Sequence, residues 1–426
     1  MSSVASAAQT FVEQIASRKA DENIEICVAR SLEEVDELRE CWNAWGGHRD
    51  SDIDFFLMIV ESYAEALRPH VIVIKRNGAP DAILIGRLER KRITFNVGYL
   101  NVFRPWANCL TFVYGAIRGN ESAENAQIFI REILNCLERG EANIALLEFV
   151  PTESPLYQLG LKLPGIFSRD ANPPLQKHDM MQVPQSIEDV YRRMSGSRGK
   201  HIRSSARKLQ AHADGALKIV CYRNPSDLDR LFRDAEAIAK QTYQRGLRAG
   251  FSDTDDIRKR LDLAAKKGWL RANLLYIGDR PVAFWIGMLY GERFVSEYMG
   301  YDPEFRQFSP GMVLIMRVIE GFCVRVDGDI VTELDFGLGH AEYKAALCTK
   351  TWDEAPIYIF GPGLTGLYLK SLRTATSMAD KAARKTLEST QLLPRLKKIW
   401  RTRLSSGARH DGGRERNIPE QSDRRP

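Results

Sequence analysis

Tyr301-Asp-Pro-Glu-Phe-Arg306-Gln307-Phe308-Ser309-Pro-Gly311-Met312-Val-Leu is the stretch on which the reading of the fold turns. The alternating run Phe294-Val-Ser-Glu297-Tyr298-Met-Gly-Tyr301 before it predicts a strand. The run from Met312 to Arg325 after it has the apolar spacing of a helix. A helix starting here leaves its first N–H groups without internal partners, and its dipole favours an anion at that end. Ser309 and Gly311 are small enough to let an anionic group approach the backbone, while Pro310 removes one donor.

Working outward, Val331-Thr-Glu-Leu-Asp335-Phe-Gly predicts a further strand, and Ala341-Glu-Tyr343-Lys344-Ala-Ala-Leu-Cys348 a short helix. Upstream, Leu270–Gly278 and Pro281–Tyr290 read as strands, Asn224–Tyr243 and Asp253–Lys267 as helices, and Ser186–Leu209 as a basic helical region broken at Ser195-Gly-Ser197. Strands alternating with helices predict an α/β (α+β) protein. The first half repeats the order. Pro80-Asp-Ala-Ile-Leu-Ile-Gly86 matches Pro281-Val-Ala-Phe-Trp-Ile-Gly287, and Gly98-Tyr99 with Phe103-Arg104 matches Gly300-Tyr301 with Phe305-Arg306. Two copies of one fold are expected. Pro164-Gly165 and Pro173-Pro174 mark the boundary between them.

The pattern Arg306-x-x-Ser309-x-Gly311 resembles the acyl-CoA-binding signature of the GNAT acetyltransferase superfamily, with Ser309 in place of its first Gly. Together with Asp335-Phe-Gly-x-Gly and Tyr343-Lys344, it resembles the FemAB-like double-GNAT acyltransferases, and more closely their subgroup associated with bacterial cellulose and exopolysaccharide biosynthesis. The resemblance implies two tandem GNAT-like domains with mixed sheets flanked by helices, over 23–170 and 176–362. A helix over 1–22, a basic amphipathic helical region over 363–404 and a disordered tail over 405–426 complete the expected organisation.

It also implies the chemistry: an N- or O-acyltransferase with acetyl-CoA as donor and no metal. Arg306, Gln307, Phe308, Ser309, Gly311 and Met312 would hold the CoA pyrophosphate. Tyr343 would protonate the leaving thiolate, a phenol of pKa about 10 serving a thiol of about 8.5. Glu297 would act as general base. Strand alternation turns either Glu297 or Tyr298 to the cleft. Asp335, a carboxylate inside an apolar run, is either a third catalytic group or a structural hydrogen-bond acceptor. Lys200, Arg203 and Arg207 share a helix face and, with His340 and Lys344, are the residues expected to meet an anionic glycan or sugar-phosphate acceptor. In the first copy, Arg104-Pro-Trp-Ala-Asn-Cys109 would occupy the loop position; Trp106 and the missing Gly make it a poor phosphate cradle.

The remaining features mostly exclude. At 426 residues, 44% hydrophobic and 27% charged, the chain is an ordinary globular protein of two or three domains. No uncharged apolar run is long enough to span a membrane, and Met1–Ala20 reads as an amphipathic helix rather than a signal peptide. Seven scattered cysteines, never in CxxC spacing, fit reduced thiols in the cytoplasm and argue against zinc. Gly361-Pro-Gly-Leu-Thr-Gly366 matches a dinucleotide fingerprint but no βαβ unit follows it, and Gly199-Lys200 lacks the rest of a P-loop. The charge is uneven: residues 364–426 hold 15 Lys/Arg against 6 Asp/Glu, so the rest of this +6 chain is slightly acidic. Leucines and Trp400 set among those cations predict a helix lying on an anionic membrane, at the inner face, or packing back onto the domains. Two rivals stay open: a Fem-type transferase using aminoacyl-tRNA, for which Arg198–Lys208 supplies cations but no long arm, and a non-catalytic scaffold in polysaccharide assembly. Other nucleic-acid binding is not expected.

Overall fold

The computed structural model describes residues 23–98, 100–242, 250–339 and 341–389; the expected helix over 1–22, His340, and everything from 390 onward lie outside them. Two compact units form among the described residues, one from 23–176 with 353–385, the other around 177–352.

The first unit opens with strand β1 (Ile24–Ala29) and helices α1 (Leu32–Asp36), α2 (Arg39–Ala44) and α3 (Ile53–Ser62). Ser31 and Glu34 close the expected capping box on α1. Strands β2 (Ala66–Pro69), β3 (Val71–Arg76) and β4 (Ala79–Arg92) follow, with β3 and β4 joined by the Asn77-Gly78 turn, both residues at positive φ. A short hairpin, β5 (Phe95–Val97) and β6 (Leu100–Phe103), leads to β7 (Trp106–Gly119), helix α4 (Ala123–Glu138), β8 (Ile144–Pro151) and α5 (Pro155–Lys162). The strand order is β1-β3-β4-β7-β8, antiparallel except for the parallel pair β7–β8. Trp42, Phe56, Phe112 and Phe129 are fully enclosed in its core.

The second unit repeats that order. After β9 (Gln176–Gln182) come helices α6 (Ile187–Arg193) and α7 (Gly196–His212), divided at Met194-Ser195 beside the expected break. Then follow β10 (Leu217–Tyr222), α8 (Leu228–Ala239), α9 (Asp255–Lys266), and the antiparallel strands β11 (Leu270–Ile277), β12 (Arg280–Tyr290) and β13 (Arg293–Tyr301). Helix α10 (Pro310–Cys323), strand β14 (Glu333–Leu338), parallel to β13, and helix α11 (Glu342–Leu347) complete it. One sheet face packs on α7 and α10 through Trp285, Phe294 and Leu314. The other packs on α8 and α9 through Phe232, Phe284 and Tyr276.

The last elements are β15 (Lys350–Phe360) and α12 (Leu364–Ser389). From residue 353 onward β15 belongs to the first unit, pairing antiparallel with β8, whereas β9 pairs with β14 in the second. A division at 176–362 therefore needs correcting: each copy's sixth strand is contributed by the segment that follows the other copy. Gly361 and Gly366 have a packing role. A Cβ on Gly366 would fall 2.0 Å from the Gly361 carbonyl oxygen, so the fingerprint-like run marks a tight backbone crossing at the start of α12.

The repeat itself is half right. Gly86 and Gly287 occupy equivalent places on β4 and β12, where a Cβ would collide with Phe112 at 2.6 Å and Phe294 at 2.4 Å. The second match is a coincidence. Gly98–Arg104 lies in the β5–β6 insertion, and the first unit's counterpart of the turn before α10 is Gly119–Ser122, before α4. There the Ser122 hydroxyl accepts from Asn125 N–H, and Asp81 binds Asn120, Asn125 and Arg76. That helix start is already filled by the chain's own polar groups.

Candidate active site

The site grows from the separation of two strands. β13 and β14 are paired only over Arg293–Val295 and Glu333–Asp335. Beyond that point β13 runs on to Tyr301 without β14, and Leu338 of β14 pairs with His178 instead. The backbone of Ser296–Tyr301 thus faces a V-shaped opening below the start of α10.

At the mouth of the V, the regular pairing of β12 with β13 is interrupted. Ile286 lies opposite Tyr298 and Gly287 opposite Ser296, leaving Glu297 as an extra, bulged residue. The bulge undoes strand alternation. Glu297 lies 3.4 Å from Arg260 on α9, and the Tyr298 ring meets Phe251 just before α9, so both side chains turn to the α8–α9 layer. The expectation that only one of the two faces this side is corrected accordingly. Trp285 Nε1–H donates to Ser296 Oγ at 2.8 Å and pins the strand beside the bulge.

At the head of α10, Ser309 is the N-cap and sits at φ +49°, ψ +49°, the left-handed region where the family signature has Gly. Pro310 has no N–H, and the Met312 and Val313 amides both turn to the Ser309 carbonyl. The expected cradle of several free N–H groups narrows to the Gly311 amide. A Cβ on Gly311 would only touch Tyr301, at 3.4 Å, so its smallness leaves room outside the helix. Arg306 and Gln307 are exposed, and Met312 is half-buried. Phe308 stacks on His212 at 4.8 Å, which makes it a packing residue.

Across the V, Tyr343 is half-buried on α11, with its ring edge-on to Phe336 at 6.1 Å. Asp335 is buried, 2.7 Å from His178 Nε2, and it accepts from Gly337 N–H at 2.7 Å. His178 in turn stacks on Trp352 at 4.3 Å. These bonds suit a carboxylate that positions β14. Lys344 is buried too. Its Nζ donates to the carbonyls of Gly337 and Leu338, and burial pulls its pKa below the ordinary lysine value. This corrects its reading as an acceptor-binding surface lysine: its ammonium holds the β14–α11 turn. His178, Arg260 and the buried Asp179, which accepts from the Thr351 hydroxyl at 2.8 Å, were missed in the sequence. His178 and Asp179 had a faint signal, two polar residues beside Met180-Met181; Arg260 had none, since only the fold brings α9 to the bulge.

The basic stretch also divides. A groove of about 810 Å3 runs between α6, α7 and α10, and Arg203 and Arg207 line it whereas Lys200 does not. Arg203 pairs with Glu188 and lies over the Tyr191 ring at 4.1 Å. Arg207 makes no ion pair among the described residues. The groove is lined by later turns of α10 and does not include Ser309, Gly311, Glu297 or Tyr343. Among the described residues, no cluster of His, Cys, Asp and Glu could hold a metal ion.

Comparison with known proteins bears on the domain. No curated protein matches the sequence. Among solved structures, FemX is 10% identical, with 79% of this chain and 97% of that one covered and a TM-score of 0.49. A conserved protein of unknown function from Bacteroides thetaiotaomicron is 12% identical, covering 78% and 100%, with a TM-score of 0.48. A tandem GNAT protein from the clavulanic acid biosynthesis pathway is 11% identical, covering 80% and 99%, with a TM-score of 0.44. Residues 196–345, within the second unit, match the family model described as Acetyltransferase (GNAT) domain.

Proposed function

We propose that the protein is an acyl-CoA-dependent N- or O-acyltransferase, with acetyl-CoA as donor and a sugar or glycan precursor as acceptor. The observation that carries this reading is the V between β13 and β14, opening below the Gly311 amide. The edge of β13 beyond Val295, which β14 does not pair, can hydrogen-bond an extended pantetheine arm as a strand would, and an edge N–H can hold the thioester oxygen as it gains charge. The acceptor nitrogen or oxygen attacks the thioester carbon, forming the new C–N or C–O bond as the C–S bond breaks. Glu297, oriented by Arg260, takes the acceptor proton through a water, and Tyr343 gives its phenolic proton to the departing thiolate. Asp335 and Lys344 position β14 and α11. Arg306 supplements the Gly311 amide at the pyrophosphate.

The narrow cradle is also the one observation that favours a non-catalytic scaffold. Release of free thiol from acetyl-CoA separates the two. The transferase reading expects acceptor-stimulated release and thermal protection by CoA, since a ligand bound only by the native state raises its stability. Gly311→Asp, which places a charge against the pyrophosphate, should abolish the protection. Tyr343→Phe should keep it while lowering kcat on the order of 10²–10⁴-fold. A protein that neither binds nor cleaves any of several acyl-CoAs is the scaffold.

A further inference from the structure

Helix α12 has two apolar faces. One is internal: Leu369 and Leu372 pack against Phe360, Phe95 and Cys109, and Arg373 pairs with the buried Asp170 at 3.0 Å. The other points to solvent. Leu364, Leu367, Tyr368, Ala375 and Met378 fall at helical spacing along it, with Leu364 88% and Met378 63% exposed. Beside it lies the turn Ile166-Phe167, with Phe167 71% exposed. Lys370 ties the two together, donating to the Ile166 carbonyl and lying 5.4 Å from the Phe167 ring centre. A globular domain rarely leaves leucine, isoleucine and phenylalanine grouped in water unless something covers them.

The charges around the patch indicate what that is. Residues 155–175 and 364–382 together contain five basic side chains, Lys162, Arg169, Lys370, Arg373 and Lys381, and two acidic ones. Both acids are engaged: Asp170 is buried against Arg373, and Asp380 accepts from Gly98 N–H at 2.8 Å. Lys162, Arg169 and Lys381 are exposed. An apolar ridge with a cationic rim matches the interface of an anionic bilayer, where the rings and aliphatic tips enter the acyl boundary and the lysines meet headgroups. No helix among the described residues is long and apolar enough to cross a membrane.

We infer that the outward face of α12, with the Ile166-Phe167 turn, is the surface by which the protein seats itself on an anionic lipid bilayer. This differs from a contact made through the basic stretch around Trp400, and it does not depend on the acyl-transfer reading.

The full chain is tested for sedimentation with sucrose-loaded phosphatidylcholine vesicles, with and without phosphatidylglycerol, at low and high salt. Binding should require the anionic lipid and weaken with salt. The triple variant Phe167→Ser, Leu364→Ser, Leu367→Ser should lose partitioning on the order of tenfold or more. It should keep the wild-type melting temperature, because these side chains are exposed. A second variant, Leu364→Trp, should show a fluorescence blue shift on anionic vesicles only. Wild-type protein that ignores anionic vesicles overturns the inference. So does a triple variant that binds as well as wild type, which would give the contact to the sequence beyond 390. An oligomer that dissociates in the triple variant, without lipid affinity, would show that a second copy covers the face.

Discussion

Ser309 is where one residue departs most clearly from what its backbone asks. A left-handed conformation costs an L-residue about 1–2 kcal/mol, and glycine escapes that cost while losing about 0.5–1 kcal/mol through its freer unfolded chain. Ser309→Gly should therefore stabilise the second unit slightly, by roughly 0.5 kcal/mol, and should not weaken CoA binding. Urea unfolding and CoA titration of the variant check both. Destabilisation would mean that the Ser309 hydroxyl makes a bond worth more than the strain. At the same scale, residue type alone was a poor guide to role. Lys344 and Asp335, as conspicuous in the sequence as Tyr343 and Glu297, are held by Gly337, Leu338 and His178. A charge written in a sequence does not disclose whether its partner is solvent or a carbonyl on a neighbouring turn.

Among the elements, the β12–β13 bulge is what brings Glu297 to the α8–α9 side. It depends on Gly287, where a Cβ would lie 2.4 Å from Phe294 Cζ and 2.6 Å from the Val295 carbonyl oxygen. Gly287→Ala should cost about 1–3 kcal/mol, as overpacking does, and should shift the bulge enough to lower turnover more than CoA affinity. Thermal melts and steady-state kinetics on the soluble fraction test this; an alanine tolerated in both would detach the bulge from the site. The sequence made Gly287 visible through its match with Gly86, and the strand and helix identities around it were legible for the same reason: apolar period and turn residues are local signals. The Gly98–Gly300 match misled because the β5–β6 insertion moves one sequence segment away from its structural counterpart. The exchange of β9 and β15 was not legible at all. The partners of both strands lie far off in the chain, and nothing local specifies which sheet edge each one joins.

For the molecule as a whole, acid should act on one unit before the other. In the first unit His70 is fully buried between Arg68 and Cys136, and burial lowers its pKa from 6.5 to about 4. The folded state therefore keeps His70 neutral between pH 6.5 and about 4, while the unfolded chain takes up a proton over that interval. Stability conferred by the neutral imidazole is complete above pH 6.5 and falls as the pH drops towards 4, by up to about 3 kcal/mol. Glu141 acts in the same sense at lower pH. Arg139 and Arg30 hold its carboxyl down at about 2 against the opposing effect of burial, so its contribution is lost as the pH falls from 4.5 towards 2. Both groups belong to the first unit, so that unit should be the one that opens first in mild acid. Urea unfolding at about pH 7, 5.5 and 4.5, followed by hydrogen exchange resolved by segment, should show protection falling first in β3, β4 and α4. His70→Gln should remove about one proton from the difference between states and flatten the slope between about pH 6.5 and 4.5, even if the variant is less stable at neutral pH. An unchanged slope would place the acid sensitivity elsewhere in the unit, and earlier loss of protection in β11–β13 would assign it to the second.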